Sequence, residues 1–441
     1  MRLVVDRKDE GIALLRKLSS PAWAVLEYAW YPLLLFVTTP WFLHSLGVEQ
    51  YGHWMLLSAT VGLGGMLSAG TGAATIKAVS AGIGRATKSE VERSIRTSLA
   101  IAMVGGGALA LLVFIAFWFA GSTLLPRMGD PALLRLTGVV AALLLWIEQL
   151  DNVLSSAMKG AERFGLAARA EMASKTFQIL AAAIILLWRP DLPALYSTLL
   201  ATAAIRLLCK AYLAWKMLEL SSLRPSLTGI GATLHFAKWG WLQGAGGLLF
   251  GVADRMLVGA ILGATSLTYY SIASQLAMQV HAISAAGLSV IFPRISRELE
   301  SRDLASFRKV AKLGMAGNFV LSGALAAALI LLGPDLLRLW IGPEAGQATA
   351  RILPWLVAAY WVLALNVVPY YMLLGLGRIR FVGITVFISG VAGLATMYLT
   401  TSHFGLVGAP AGRGMYALLT LAMFFPLAGY FIAPAQRGSR P

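Results

Sequence analysis

Residues 77–120, KAVSAGIGRATKSEVERSIRTSLAIAMVGGGALALLVFIAFWFA, decide the fold. Five cations (Lys77, Arg85, Lys88, Arg93 and Arg96) crowd its first half, and residues 97–120 hold none. A helix rises about 1.5 Å per residue, so the apolar run crosses a hydrocarbon core of roughly 30 Å. A basic segment followed by a membrane-length run is the unit from which the rest of the chain is built. Of the 36 Lys and Arg residues, 28 fall in seven hydrophilic segments of this kind: the N-terminus, 77–96, 159–175, 210–238, 294–312, 378–380 and the tail. The alternate segments carry only Arg127, Arg135, Arg189, Arg338 and Arg351, and Arg206, Arg255 and Arg413 lie inside apolar runs. Cations dealt to every second loop are the mark of a polytopic membrane protein, whose Lys and Arg stay on the cytoplasmic side.

The 441 residues are 58% hydrophobic and 13% charged, with a mean hydropathy of +0.74. A soluble domain carries about 25% charged residues. Twelve runs are long enough to span: 23–44, 53–76, 97–120, 135–157, 171–188, 195–216, 236–262, 268–292, 310–333, 352–374, 381–401 and 406–432. The expected fold is all-α and integral to the membrane, with both termini cytoplasmic and no cleavable signal peptide. The net charge of +16 follows from basic loops facing an anionic leaflet, so it calls for no nucleic acid. One cysteine, Cys209, excludes a disulfide within the chain.

The halves echo each other at a shift of about 216 residues. Leu46-Gly47 aligns with Leu262-Gly263, Ser58 with Ser274, Ser68-Ala69 with Ser284-Ala285 and Ser80 with Ser296. Later, Gly160, Arg163 and Phe164 answer Gly375, Arg378 and Phe381. An even number of helices per repeat keeps both in the same orientation. The expected division is an N-lobe of residues 1–220 and a C-lobe of 221–441, with six helices each.

The sequence shows no catalytic constellation, no metal-ligand spacing among its five histidines and no phosphate loop. Charge inside the membrane costs about 2.5–3.5 kcal/mol per residue, so it marks working groups. Arg206 and Lys210 share a ridge of the sixth run with Thr198 and Thr202, a stripe suited to an anionic head group. Glu148 and Asp151, at i and i+3 in the fourth run, are either an ion site or the counter-charges of that stripe; the sequence leaves both open. Asp254 shares an arc of the seventh run with Gln243, Gly240, Gly244, Gly247 and Gly251, flanked by Arg255. It is read either as an ion-coupling group or as the partner of Arg255. Ser271, Ser274, Gln275, Gln279, His281 and Ser289 share one side of the eighth run, which points to a cavity wall. Glu27, Pro32 and Pro40 mark an interrupted first run. The amphipathic stretch 293–312 reads as a helix lying at the head groups.

The stretches ADRMLVGAILGATSLTYYSIASQLA (253–277), FPRISRELESRDLASFRK (292–309) and LGVEQYGHW (46–54), with the turns GAERFGL and GLGRIRF, resemble the polysaccharide-flippase branch of the multidrug/oligosaccharidyl-lipid/polysaccharide exporter superfamily. The resemblance implies two six-helix lobes around a central cavity in the bacterial inner membrane. It implies a flippase for undecaprenyl-diphosphate-linked oligosaccharide, working by alternating access. No cofactor is implied beyond a coupling ion, H+ or Na+. A polysaccharide polymerase or chain-length machinery is an expected partner. By position, Asp254 corresponds to the aspartate of the family's seventh-helix motif. On this reading Arg206, Lys210, Arg255, Gln275 and Gln279 touch substrate, and Asp254, Glu27, Glu148 and Asp151 couple the ion. The lipid II flippase branch typically has two further helices, which this chain lacks. A cation-coupled drug antiporter of the same superfamily is the alternative, with the carboxylates as its key groups. A glycan ligase or polymerase would need a long outward loop, and the longest here is about 18 residues, Pro334 to Arg351.

Overall fold

The computed structural model describes residues 7–84, 87–231, 233–235, 237, 241, 251–288, 304–376 and 378–432, with side chains from residue 30 onward. Every regular element among them is helical. In chain order these are α1 (Arg7–Gly62), α2 (Gly65–Gly84), α3 (Lys88–Leu124), α4 (Pro131–Gly160), α5 (Phe164–Trp188) and α6 (Leu192–Met217). They are followed by α7 (Ala253–Leu262), α8 (Ala264–Leu288), α9 (Leu304–Ile341), α10 (Pro343–Ala350), α11 (Leu353–Leu365), α12 (Val367–Gly375), α13 (Ile379–Phe404), α14 (Ala409–Thr420) and α15 (Phe425–Ile432). Large apolar side chains stand exposed along them, among them Phe119, Trp188, Leu332 and Leu339. Only a lipid environment accommodates such a surface.

Eight stretches among the described residues are long and apolar enough to cross a membrane. The difference from twelve runs has three sources. Two of the eight, Trp30–Ser68 and Arg380–Ala428, each take in more than one run. About half of the seventh run lies outside the described residues, and the part within them forms the short α7. The eighth forms α8, whose serines and glutamines lower its hydropathy.

Several boundaries differ from the expected ones. The LGVEQYGHW stretch is helical, and α1 breaks at Gly47 (φ 76°) rather than at Pro32 or Pro40. A positive φ is costly for any residue with a Cβ, which is why glycine stands there. The second run is cut at Leu63-Gly64, between α1 and α2. The stretch 334–351, expected as a loop, is mostly helical, because α9 continues through Pro334 to Ile341 and α10 follows. The run 352–374 divides at Asn366, ahead of Pro369, which has no N–H to carry the helix ladder on.

The chain forms two compact units. Unit 1 comprises Met1–Gln50, Thr60–Ser122 and Asp130–Gly244; unit 2 comprises Tyr51–Ala59, Thr123–Gly129 and Ala245–Pro441. In unit 1, α4 packs on α2 and α6, and α6 packs on α5. Val79, Ile95, Leu99, Val153, Leu154 and Met158 form its core. Gly160 permits the α2–α4 approach, since a Cβ there would stand 2.9 Å from the carbonyl oxygen of Ile76. Gln149 stitches the same helices: its amide donates to the carbonyl of Gly64 at the α1–α2 break, which also accepts from the Ser68 backbone N–H, and its oxygen accepts from the Ser68 hydroxyl. Unit 2 has the same device, where Asn318 donates to the Ala364 carbonyl beside the α11–α12 break at 2.7 Å. Buried polar groups are held this way because each unpaired one costs about 1–3 kcal/mol.

Candidate functional site

Unit 1 gathers three carboxylates and four cations where α4, α5 and α6 meet. Lys210 is 1% exposed. Its ammonium donates to Asp151 Oδ2 (2.7 Å), to Ser155 Oγ (2.9 Å) and to Glu171. These use all three of its N–H donors. Arg206, one turn away and 4% exposed, is held more loosely, at 3.4 Å from Glu148 and 3.5 Å from Asp151. Lys175 stands 3.9 Å from Glu148 and 4.8 Å over the ring of Tyr31. Helix periodicity produces the cluster: Glu148, Asp151, Asn152 and Ser155 share a face of α4, Glu171 and Lys175 are i and i+4 on α5, and Arg206 and Lys210 are i and i+4 on α6.

A cavity of about 300 Å³ opens beside the cluster. Residues 61, 62, 64, 65 and 68 form one wall; Glu148, Gln149, Asp151, Asn152, Ser155, Lys159, Glu171, Lys175 and Arg206 supply the rest. Lys210 is not on the wall. It lies behind and fixes the carboxylates, while Arg206, Lys175 and Lys159 present positive charge to the space. The wall's three cations balance its three carboxylates, Glu148, Asp151 and Glu171, and Lys210 behind them leaves the cluster one net positive charge.

The structure therefore pairs Glu148 and Asp151 with Arg206 and Lys210, the counter-charge arrangement that the sequence left open. Sequence reading missed Glu171, Lys175 and Lys159 because it placed them in a cytoplasmic basic segment. The signal was present in the i, i+4 spacing of Glu171 and Lys175 at the start of the fifth run.

Unit 2 holds a second buried charge pair. Asp254, 1% exposed, accepts from Arg413 Nη2 at 2.6 Å and from the Tyr270 hydroxyl at 3.0 Å. The backbone N–H of Arg255 donates to its other oxygen. The cation facing Asp254 is thus Arg413 of α14 rather than the side chain of Arg255. Arg413 also stacks 4.8 Å over the ring of Tyr360. Gln275 and Gln279 lie half-buried on α8, with the amide of Gln279 bonded to the backbone of Gln275. The side chain of Glu27 and the residues Gln243, Gly240, Gly244, Gly247 and Ser289 lie outside the described residues, as does most of 293–312. A double-variant cycle of Asp254→Asn and Arg413→Gln is expected to show a coupling of about 0.5–3 kcal/mol in thermal unfolding. Additive losses would mean the two do not act as a pair.

Counted at the shift of 215, Asp151 falls on Asn366. In unit 2 that asparagine donates to Thr420 of α14 at 2.8 Å. A neutral hydrogen bond thus stands where unit 1 has the Asp151–Lys210 ion pair. The charged cavity belongs to unit 1.

A multi-pass helical chain with a charged cavity walled by its own helices defines a membrane transporter rather than an enzyme. Residues 23–298 match the family described as "Polysaccharide biosynthesis protein", and residues 247–399 match the MatE family. A Shigella flexneri protein named "Putative O-antigen transporter" is 22% identical over 415 residues, covering 91% of this chain and 95% of that one. An inward-facing multidrug resistance MATE transporter of the multidrug/oligosaccharidyl-lipid/polysaccharide superfamily superposes with a TM-score of 0.71 at 17% identity, over 96% of this chain and 99% of that one. The lipid II flippase MurJ, inward closed, gives 0.69 at 10% identity, over 94% and 87%. The chain belongs to the polysaccharide biosynthesis protein family, and its fold is the one that family shares with these exporters.

Proposed function

We propose that the protein flips a lipid-linked oligosaccharide, carried on a polyprenyl diphosphate, across the bacterial cytoplasmic membrane with both termini in the cytoplasm. The observation that carries this reading is the cavity of unit 1, where Arg206, Lys175 and Lys159 line the space and Lys210 behind them brings the cluster to one cation more than its carboxylates. The diphosphate binds there, with the planar guanidinium of Arg206 matched to its oxygens. Asn152, Ser155 and Ser68 on the same wall offer hydrogen bonds to sugar hydroxyls. The O-antigen relative and the family membership support the glycan as cargo.

A diphosphate brings more negative charge than the single excess positive charge of the cluster can balance, so its entry competes with Glu148 for Arg206 and Lys175. Calorimetric titration of purified protein with a short-chain polyprenyl diphosphate reads this directly. Binding that tightens in Glu148→Gln is expected; unchanged affinity in that variant would remove the competition, and no binding would remove the reading.

A second reading has one observation behind it. Glu148, at 38% exposure, is the most open charged group among those ion pairs, and a carboxylate on a cavity wall suits an organic cation. Cation binding that is lost in Glu148→Gln would favour it.

A further inference from the structure

We infer that the groove between α8 and α9 of unit 2 is a binding site for an anionic phospholipid of the surrounding bilayer, with one acyl chain lying in the groove and the phosphate at Lys309. The groove encloses about 570 Å³ and is walled by Leu288, Val310, Leu313 and Leu321. It opens outward, since Leu313 is 72% exposed. Two of its glycines, Gly287 and Gly317, have nothing within 4 Å of where a Cβ would stand. Two packed transmembrane helices normally bring glycines together so that backbones touch. Here the small residues leave room instead, which is what a chain-shaped occupant requires.

A second, independent observation points into the same space. Asn318 lines the groove and is 3% exposed. Its amide nitrogen is used by the Ala364 carbonyl, while its side-chain oxygen has no protein partner. A buried oxygen without a donor costs about 1–3 kcal/mol, and a water held beneath a lipid chain would satisfy it.

Length and charge choose the occupant. From Ser306 to Leu321 the groove follows α9 for about 22 Å at 1.5 Å per residue. One leaflet contributes roughly 15 Å of hydrocarbon, so the groove runs from head-group level to the bilayer centre. The exposed Lys309 lines its outer end. A cation at that level selects a phosphate without a compensating choline. The site belongs to unit 2 and does not depend on the cargo proposed for unit 1.

The test uses the full chain in nanodiscs with a phosphatidylglycerol bearing a photoreactive acyl chain, and the matching phosphatidylcholine as control. Labelling on α8 and α9 is expected, with phosphatidylglycerol about fivefold ahead and that preference lost in Lys309→Gln. A Cβ at Gly317 meets nothing within 4 Å, so Gly317→Leu grows into the groove, and labelling there falls at least about fivefold in protein that unfolds at the wild-type temperature. Equal labelling by the two lipids, or undiminished labelling in Gly317→Leu, overturns the proposal.

Discussion

Lys210→Met is expected to lower stability by about 3–5 kcal/mol, the cost of breaking a buried ion pair from one side. The wild-type ammonium sits between Asp151, Ser155 and Glu171, away from the cavity wall. Methionine matches its length but supplies no donor, so two carboxylates face each other with no cation between them. Arg206, 3.5 Å from Asp151, compensates only in part. Thermal unfolding of the detergent-solubilised protein should register the loss. Adding Asp151→Asn should recover part of the loss, since it removes the charge left without a partner. A stability close to wild type in Lys210→Met would mean that the cluster is not held from behind by this lysine.

Arg206→Lys separates holding the fold from holding the cargo. A lysine at 206 keeps a positive charge near Glu148 and Asp151, so the protein should fold with little change in stability. It loses the planar fork that engages two phosphate oxygens at once. Truncating one side of a buried charge pair in a complex costs about 2–5 kcal/mol, which is at least a thirtyfold loss of affinity for a polyprenyl diphosphate. Binding by Arg206→Lys at wild-type affinity, in protein that unfolds at the wild-type temperature, would show that a point charge suffices and that the guanidinium is not a ligand.

The topology was legible because the bilayer enforces it. Lys77 to Arg96 ahead of an apolar run of 24 residues admits little but a spanning helix, and the loop charges repeat that message along the chain. Arg206, Lys210, Glu148 and Asp151 were legible for the same reason, since charge at membrane depth is costly. Which acid meets which base was not legible, because pairing across helices depends on rotation and crossing angle, and one sequence fixes neither. Lys175 and Glu171 escaped because hydrophilic residues at the edge of a run read as loop. Arg413 was visible as a cation inside the last run, yet Asp254 has a nearer cation in sequence, Arg255. Backbone proximity hid the partner that the α7–α14 approach supplies. The helix breaks at Gly47, Leu63-Gly64 and Asn366 were hidden because hydropathy does not register a turn that a side-chain amide such as that of Gln149 completes.

The most direct measurement reconstitutes the purified protein into liposomes with a fluorescent polyprenyl-diphosphate oligosaccharide and follows its exposure to an impermeant quencher on the opposite leaflet. The account predicts translocation by the wild type and little or none by Arg206→Lys. Contradiction would be a glycolipid that stays in its original leaflet while the same vesicles extrude a cationic dye in a manner that requires Glu148.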